Sequence, residues 1–399
     1  MSALAEVLRQ GGAAYLRTHS LSTPQARAWR GICACRTPLL GGQRLACAAC
    51  GHSHWHYHSC RNRHCPNCGT RAKDAWLQGH LAEVLEVPYT HLVFTLPHQL
   101  NNLYRAAPKW LIEALFASVA ETLKDFAANP RWMGTTDGQA AFSLVLHTWS
   151  QELSQHLHLH AVMACGVLKD GQWHTPTRKP NFLFPVKALS LVFRAKFMAR
   201  LRELAQRAEW GEGKQHPQDA NLSPPGRKAL MSKPWVVYAK TPLGGPAQVL
   251  EYLSRYTHKT AISNERIKAV SPTEVTFTVR ANNEGGKRRI TLPTPEFIRR
   301  FLLHVLPGGI KRIRHYGVLA NGCKKTQLAQ ARQALHQPAP NPQATASARD
   351  FMARVARIKV NACPRCQAPL KVVQTLTGLK HLPAPGQVQT ATTARGPPL

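Results

Sequence analysis

The sequence predicts a mixed fold of helices and strands that is preceded by a small cysteine-rich domain. Seven of the 11 cysteines lie between Cys33 and Cys68. Downstream of them, short apolar runs bounded by turn residues alternate with longer segments in which apolar residues recur every three or four positions. The first pattern is typical of buried strands and the second of amphipathic helices. A chain of 399 residues is long enough to hold two or three domains.

The predicted elements follow one another in a definite order. Residues 1–30 have helical periodicity, and the cysteine-rich block occupies residues 31–75. The predicted strands span residues 91–96, 141–147, 156–168 and 235–238. The predicted helices span residues 109–126, 189–208, 246–257 and 296–305. A hairpin is expected from residues 275–279 and 287–292, because the stretch between them ends in two glycines and is typical of a turn.

The charge of the chain indicates a polyanionic partner. Lysine and arginine number 52, and aspartate and glutamate number 20, so the formal net charge is +32. Such an excess attracts nucleic acid first and an anionic membrane surface second, and it also fits a basic surface that only keeps the protein dissolved. No apolar stretch is long enough to span a bilayer, and the N-terminus lacks a signal-peptide pattern. We therefore expect a cytoplasmic protein with no membrane partner.

Two CxxC motifs predict a structural zinc site. Cys47 and Cys50 form the first motif, and Cys65 and Cys68 form the second. Cysteines clustered in this way in a reducing compartment favour a metal over disulfides. Four thiolates complete the tetrahedral shell that Zn²⁺ prefers and leave no open position for catalysis. We therefore expect these four cysteines to hold a structural Zn²⁺.

Further potential ligands remain outside that set. Cys35, Cys60 and His64 are candidate zinc ligands, either for a second site or as the replacement for one cysteine of the first. Cys363 and Cys366 form a third CxxC near the C-terminus. Two ligands alone do not make a structural zinc site, so this motif is a degenerate ribbon or pairs with another chain, and no role is predicted for it. Basic residues suited to phosphate contact flank the cysteine-rich block at Arg61, Arg63, Arg71 and Lys73.

Three alternating histidines suggest a different kind of metal site. His156, His158 and His160 lie in a predicted strand, where alternate side chains share one face. Imidazoles on one face can hold a divalent ion that polarises a scissile phosphate. For an isolated motif of this kind, histidines that face water or make hydrogen bonds are the more common outcome.

Two tyrosines are candidate nucleophiles. Tyr252 and Tyr256 lie four positions apart in a predicted helix, so both phenols would face one site, close to Arg255 and Lys259. A phenol with a pKa of about 10 is a poor nucleophile at neutral pH, but nearby cations lower the cost of forming the phenolate. The alternative is ordinary packing of two aromatic rings on an amphipathic helix.

The motifs and their order resemble the two-tyrosine transposases of the insertion-sequence-ninety-one (IS91) family, which belong to the HUH (His-hydrophobe-His) endonucleases. The match covers residues 30–320 and departs from the family at Cys165 and Gly166, where the family often has two glycines. The matching stretches are CRTP at 35–38, SCRNRHCPNC at 59–68, HLVFTLP at 91–97, LHTW at 146–149, HLHLHAV at 156–162, YLSRYTH at 252–258, RRFLLHVLP at 299–307 and IRHYG at 313–317.

The resemblance implies a fold and a set of site residues. The fold is α+β, an HUH-endonuclease-like antiparallel sheet with packed helices that follows the zinc-binding domain. His158 and His160 would hold Mg²⁺ or Mn²⁺, with His156 as a further ligand candidate. Tyr252 and Tyr256 would be the nucleophiles. The candidates for a third metal ligand are Glu152, His156 and His258.

The function that the resemblance implies is rolling-circle transposition. The enzyme would nick and join single-stranded DNA at the element ends and in the target through a 5′-phosphotyrosine, as a nucleoid-associated protein and a candidate homo-oligomer. The predicted domains are residues 1–80 for zinc binding, 85–320 for catalysis and 321–399 for a basic C-terminal region. A plasmid replication initiator or relaxase would use the same chemistry. A zinc-ribbon DNA-binding protein without catalysis is the alternative from a different class.

Overall fold

A computed structural model describes residues 2–81, 83–177, 183–206, 223–243, 261–281, 285–339, 347–355 and 359–386. Tyr252, Tyr256 and His258 lie outside the described residues, as does the whole helix predicted at residues 246–257. None of the helices in the described ranges is both long and apolar enough to cross a membrane.

The described part of the chain contains both strands and helices throughout its length. The strands are β1 (Gly41–Cys47), β2 (Ser53–Tyr57), β3 (Tyr89–Thr95), β4 (Gln139–Trp149), β5 (Gln155–Lys169), β6 (Gln172–His174), β7 (Val237–Leu243), β8 (Ile267–Val270), β9 (Glu274–Arg280), β10 (Lys287–Pro293), β11 (Ile313–Gly317) and β12 (Leu370–Thr377). The helices are α1 (Ala3–Gln10), α2 (Gly12–Leu16), α3 (Thr23–Ala34), α4 (Pro66–Leu81), α5 (Asn101–Ala106), α6 (Pro108–Ala127), α7 (Pro130–Met133), α8 (Val186–Gln206), α9 (Pro224–Met231), α10 (Thr294–Leu303), α11 (Lys324–Ala334) and α12 (Ala348–Val355).

A central antiparallel sheet forms the largest part of the fold. Its strand order is β11-β4-β5-β3-β7, and β6 pairs with the far end of β5. The long strand β5 lies in the middle, so its backbone is hydrogen-bonded on both sides. Because paired residues in antiparallel strands share a face, His160 lies on the same face as Val145, Val93 and Tyr238 along one row of the sheet. The predicted α+β class, with an antiparallel sheet and packed helices, is confirmed.

Apolar side chains on the opposite face of β5 pack under two long helices. Leu157, Leu159 and Ala161 join the buried cluster that includes residues of α6 and α8. The alternation of leucine and histidine therefore places leucines against helices and histidines on the other face. Burying a leucine side chain stabilises a fold by about 1.5–3 kcal/mol, so this core holds the sheet beneath the histidines.

Strand β5 continues through the position where this chain departs from the family pattern. Gly166 has a φ of 151°, and a Cβ atom there would lie 2.3 Å from Nε1 of Trp173. A residue with a side chain would therefore have to displace the indole ring. Cys165 is buried in the core under the helices. Cys165 and Gly166 are therefore part of the continuous strand β5, and they follow the three histidines along it.

A second core joins the N-terminal helices to a later part of the chain. Leu4, Trp29 and Ile32 from α1 and α3 are buried together with Phe277 of β9 and Phe297 of α10. The predicted hairpin is confirmed, since β9 and β10 pair in antiparallel register within the sheet β10-β9-β8. The first 30 residues thus pack against residues 261–305. The domain boundaries derived from the sequence stay a prediction.

The third sheet brings together the two ends of the chain. Its strand order is β12-β1-β2, with β1 paired to both neighbours in antiparallel register. Strand β1 ends at Cys47 and β12 starts at Leu370, and these two residues lie opposite each other in the ladder. Strand β12 was not predicted from the sequence. Its pairing determines the positions of several cysteines.

Candidate active site and metal centres

Three histidines on neighbouring strands form a compact cluster. His158 and His160 lie on β5, and His147 lies on β4 directly opposite His158. One ring nitrogen from each of the three imidazoles lies within 4.8 Å of the others. All three side chains are on the face of the sheet away from α6 and α8. Three imidazoles at this spacing suit a divalent transition metal or Mg²⁺ with open positions for other ligands.

Hydrogen bonds orient two of these rings. Nδ1 of His158 lies 3.0 Å from the carbonyl oxygen of His156, and Nδ1 of His160 lies 2.9 Å from Nε2 of His91. A histidine that donates from Nδ1 presents Nε2 to a metal, and such an outer hydrogen bond fixes the ring orientation. The donor and acceptor in the pair of His91 and His160 depend on the tautomers.

Burial favours the neutral form of His158 and of His91, the neighbour of His160. It lowers the pKa of His158 to about 4, with a further contribution from the neighbouring His156. It also lowers the pKa of His91 to about 3, assisted by the charge of Lys240. A metal ligand must be deprotonated, so the ring of His158 is in the required form at neutral pH.

The structure places the candidates for the third ligand differently from the sequence-based expectation. His147 completes the cluster, whereas the ring of His156 lies beside that of His98, with 5.2 Å between their centroids. Glu152 forms an ion pair with Arg288. His258 lies outside the described residues. His147 is part of the LHTW motif, and its position at the end of a predicted strand was the signal that could have identified it.

The described residues contain two clusters of four cysteines, and these divide the predicted ligands between two sites. Cys65 and Cys68 lie with Cys35 and Cys60, all four sulfurs being within 4.8 Å of one another. The Cys35 and Cys68 sulfurs are 3.6 Å apart, and those of Cys60 and Cys68 are 3.7 Å apart. Zn–S bonds of about 2.3 Å in a tetrahedron place sulfurs about 3.8 Å apart, so the cluster fits zinc. His64 is not part of it.

The other cluster contains Cys47 and Cys50 together with Cys363 and Cys366. The predicted set of Cys47, Cys50, Cys65 and Cys68 is therefore not brought together. The physical reason lies in the pairing of strands. Cys47 ends β1, and the pairing of β1 with β12 brings the C-terminal CxxC to the same end of these two strands. The second N-terminal CxxC instead leads into α4, close to the end of α3 that carries Cys35.

A groove of about 1970 Å³ lies between the cysteine-rich residues and the rest of the molecule. Trp55 and Tyr57 on β2 line it with their rings parallel, 5.9 Å between centroids. Glu265 is the single acidic side chain among the described lining residues. The basic side chains that line it are Arg36, Arg61, Arg63, Arg71, Lys311, Arg312 and Lys359. Cations interleaved with aromatic rings suit a nucleic-acid strand, which offers phosphates and base faces.

The groove reaches the histidine cluster through stacked side chains. The guanidinium of Arg312 lies 5.4 Å from the ring centroid of Trp149, and that ring stacks on His147 at 4.7 Å. Burial lowers the pKa of Arg312 to about 10, with a further contribution from Arg63. The arginine therefore remains charged at neutral pH. A strand that follows the groove would pass this cation, which is separated from His147 by the ring of Trp149.

Comparisons with known proteins agree with the sequence motifs. A family model described as "Transposase zinc-binding domain" matches residues 7–96, and one described as "Putative transposase" matches residues 141–327. The chain is 38% identical over 388 residues to "Putative transposase y4qJ" of Sinorhizobium fredii, covering 95% of this chain and 97% of that relative. It is 26% identical over 359 residues to "Transposase for insertion sequence element IS801" of Pseudomonas savastanoi pv. phaseolicola, covering 87% and 82%.

These matches define a transposase with an N-terminal zinc-binding domain. The chain belongs to the IS91 family of transposases, as its motifs predicted.

Solved structures of a conjugative relaxase overlap with the chain in part. "Conjugative Relaxase TrwC in complex with mutant OriT Dna" is 16% identical, with 61% of this chain and 72% of that chain covered and a TM-score of 0.26. "Conjugative Relaxase Trwc In Complex With Orit DNA. Metal-Bound Structure" is 21% identical, with 31% and 46% covered and a TM-score of 0.24. The superpositions are too loose to assign residue roles to this chain.

Proposed function

We propose that this transposase nicks and joins single-stranded DNA at element ends through a 5′-phosphotyrosine intermediate. His147, His158 and His160 would hold Mg²⁺ or Mn²⁺, and Tyr252 and Tyr256 would be the nucleophiles. The observation that carries the proposal is the cluster of three imidazoles on one face of the central sheet, in a chain of this transposase family. The bound ion would stabilise negative charge on the phosphate that is attacked.

In the proposed reaction, one of the two tyrosines attacks the scissile phosphate. The phenolate oxygen of Tyr252 or Tyr256 bonds to phosphorus, and the bond from phosphorus to the 3′ oxygen breaks. The phenol proton leaves to solvent, and the departing 3′ oxygen takes up a proton to become a hydroxyl. The phosphodiester energy is kept in the tyrosyl ester, so no nucleotide cofactor is required. A second tyrosine allows a second strand transfer while the first link persists.

The basic groove would hold the DNA strand. Phosphates would contact its arginines, and bases would stack on Trp55 and Tyr57. Arg312 lines the groove and contacts the Trp149 ring that stacks on His147, and its guanidinium would orient the scissile phosphate. Target DNA would enter by the same surface. A homo-oligomer and a cytoplasmic, nucleoid-associated location stay predictions.

The experiment that tests the proposal is covalent trapping. Labelled single-stranded DNA from an element end, incubated with the full chain and Mg²⁺, should give a slow, protease-sensitive band on a denaturing gel. The double substitution Tyr252→Phe/Tyr256→Phe should remove that band, because phenylalanine keeps the ring and lacks the attacking oxygen. Each single substitution should still allow some nicking and impair complete transposition.

A matched control is available on the other face of the sheet. Tyr316 pairs with Phe142 and lies on the face under the helices, so Tyr316→Phe should leave the band unchanged. Tyr238 lies on the histidine face and is 52% exposed. If the double substitution still gave the band, the assigned nucleophiles would be wrong and Tyr238 would be tested next. DNA binding without any covalent band in the wild type would favour a non-catalytic DNA-binding protein.

A further inference from the structure

We propose that Cys47, Cys50, Cys363 and Cys366 of one chain hold a second structural Zn²⁺, which fastens the C-terminal segment to the N-terminal domain. The C-terminal segment here means residues 359–386. The matched zinc-binding domain ends at residue 96, so two of the four ligands lie far outside it. The proposal gives a role to the isolated CxxC motif at Cys363.

The positions of the sulfurs fit a shared metal rather than disulfides. The sulfurs of Cys47 and Cys366 are 3.5 Å apart, as are those of Cys50 and Cys363. A disulfide requires about 2.05 Å, whereas four thiolates around zinc lie about 3.8 Å apart. All four sulfurs lie within 4.8 Å of one another, so each has three sulfur neighbours and not a single partner.

The two CxxC turns have the same backbone structure. The N–H of Cys47 donates to the carbonyl of His52, and the N–H of Cys363 donates to the carbonyl of Ala368, both at 2.8 Å. In each turn the residue four positions after the first cysteine donates back to that cysteine's carbonyl, at 3.0 Å from Gly51 and 2.9 Å from Gln367.

Gly51 and Gln367 also share the left-handed conformation, with φ of 69° and 63°. Glycine adopts it freely, whereas glutamine adopts it at a cost. The N–H of Arg365 lies 3.4 Å from the Cys363 sulfur and points at it as a donor. Two equivalent turns that face one another across paired strands are suited to supply two thiolates each.

The C-terminal segment has very little core of its own. Cys363 is its only buried residue, and Val372 and Val373 on β12 are 52% and 58% exposed. A segment with so little apolar burial is held by the ladder to β1 and by whatever its cysteines bind. Small domains of this kind commonly depend on a metal for folding. The zinc would thus take the place of a hydrophobic core.

The test is the zinc content of the purified full chain, measured by elemental mass spectrometry. The wild type should hold two zinc ions, one for each cluster of four cysteines. Cys363→Ser/Cys366→Ser should lose one, and so should Cys47→Ser/Cys50→Ser. The quadruple variant should also lose only one, because both pairs bind the same ion. As a control, Cys323→Ser should keep both ions, since its sulfur bonds to the carbonyls of Gly317 and Ala320 and belongs to neither cysteine cluster of the described residues.

A mixing experiment distinguishes a site within one chain from a site between chains. Cys363→Ser/Cys366→Ser and Cys47→Ser/Cys50→Ser are unfolded together in denaturant and refolded as a mixture with excess zinc. A site within one chain cannot be restored by mixing, so the content should stay at one ion per chain. Recovery of further zinc would overturn the proposal in favour of a site between chains. One zinc in the wild type, iron in place of zinc, or disulfides found by intact mass under denaturing conditions would overturn it as well.

Discussion

The histidine cluster and the cluster around Cys47 and Cys363 are built in opposite ways. The histidines lie on adjacent strands in the middle of the central sheet, above a large apolar core. The cysteines lie beyond one end of the paired strands β1 and β12, and they join parts of the chain that are more than 300 residues apart. Apolar burial folds the first region with or without an ion, whereas the second has little else to hold it. A metal should therefore serve chemistry at the histidines and folding at the cysteines.

The largest effect is expected at the histidines. His158→Ala or His160→Ala should lower single-stranded DNA cleavage by about 10²–10³-fold or more, the usual cost of losing preorganised charge stabilisation. The melting temperature should change little, and DNA binding should persist because the basic surface supplies most of the affinity. The measurements are gel-based cleavage at saturating DNA, calorimetry and a binding titration.

His315→Ala is the matched control, because His315 lies on the same face of the sheet and bonds to Ser143 instead of joining the cluster. It should retain cleavage. Full cleavage by His158→Ala/His160→Ala would refute the assignment of the metal site. A collapse in melting temperature would instead show that the histidines are needed for folding and do not serve chemistry alone.

The next effect should distinguish the two cysteine clusters. Cys65 is fully buried among Trp29, Ile32 and their neighbours, so Cys65→Ser should lose a zinc ion and destabilise the N-terminal region by several kcal/mol, on the order expected for a structural zinc site. Cys366→Ser, at an exposed position, should lose a zinc ion but leave the main melting transition in place. Zinc analysis and calorimetry on the two variants check both outcomes. Equal loss of the main transition would mean that the clusters stabilise one cooperative unit.

The histidine strand was largely predictable from the sequence. A long alternation of apolar and histidine residues gives both the strand and the shared face of His158 and His160, because the strand period is two. His147 was not predicted to join the histidine cluster, although its strand was predicted. Its position opposite His158 depends on the register between two strands, and local periodicity does not contain that information.

The cysteine clusters show where prediction from local spacing fails. Cys47, Cys50, Cys65 and Cys68 have the spacing of one zinc ribbon, yet the two turns differ in structure. The turn at Cys47 reverses the chain between two strands, whereas the turn at Cys65 starts a helix. The turn at Cys47 is joined by the turn at Cys363, and more than 300 residues separate the two in the sequence. No local motif spans that distance. The position of Gly51 and Gln367 after each motif was the local signal of equivalent turns.

A smaller effect should appear in the dependence of stability on pH. Burial lowers the pKa of His304 to about 4, and its two ring nitrogens bond to Thr148 and to the carbonyl of Leu153. The unfolded chain takes up this proton near pH 6.5, whereas the folded protein resists it down to about pH 4. The neutral ring therefore contributes stability that is present above about pH 6.5 and is lost as the pH falls towards 4, on the order of 3 kcal/mol in total.

Denaturant unfolding at a series of pH values measures this loss. His304→Gln should flatten the slope of unfolding free energy between pH 6.5 and 4. If that variant fails to fold, the wild-type titration of His304 followed by NMR remains decisive. A His304 pKa near 6.5 would refute the prediction.

The smallest expected effect concerns the salt dependence of DNA binding, which should depend on the zinc-bound C-terminal segment. Lys359 belongs to the C-terminal segment and lines the basic groove, so Lys359→Gln should lower the salt dependence of DNA binding by about one unit in the slope of log K against log salt. Lys371→Gln, on β12 of the same segment and outside the groove lining, is the control and should leave the slope unchanged. In the background Cys363→Ser/Cys366→Ser the segment loses its zinc, so Lys359→Gln should have no further effect. If Lys359→Gln lowered the salt dependence equally in that background, the C-terminal segment would keep its position at the groove without zinc. The metal at Cys47 and Cys363 would then not be needed to hold the segment in place.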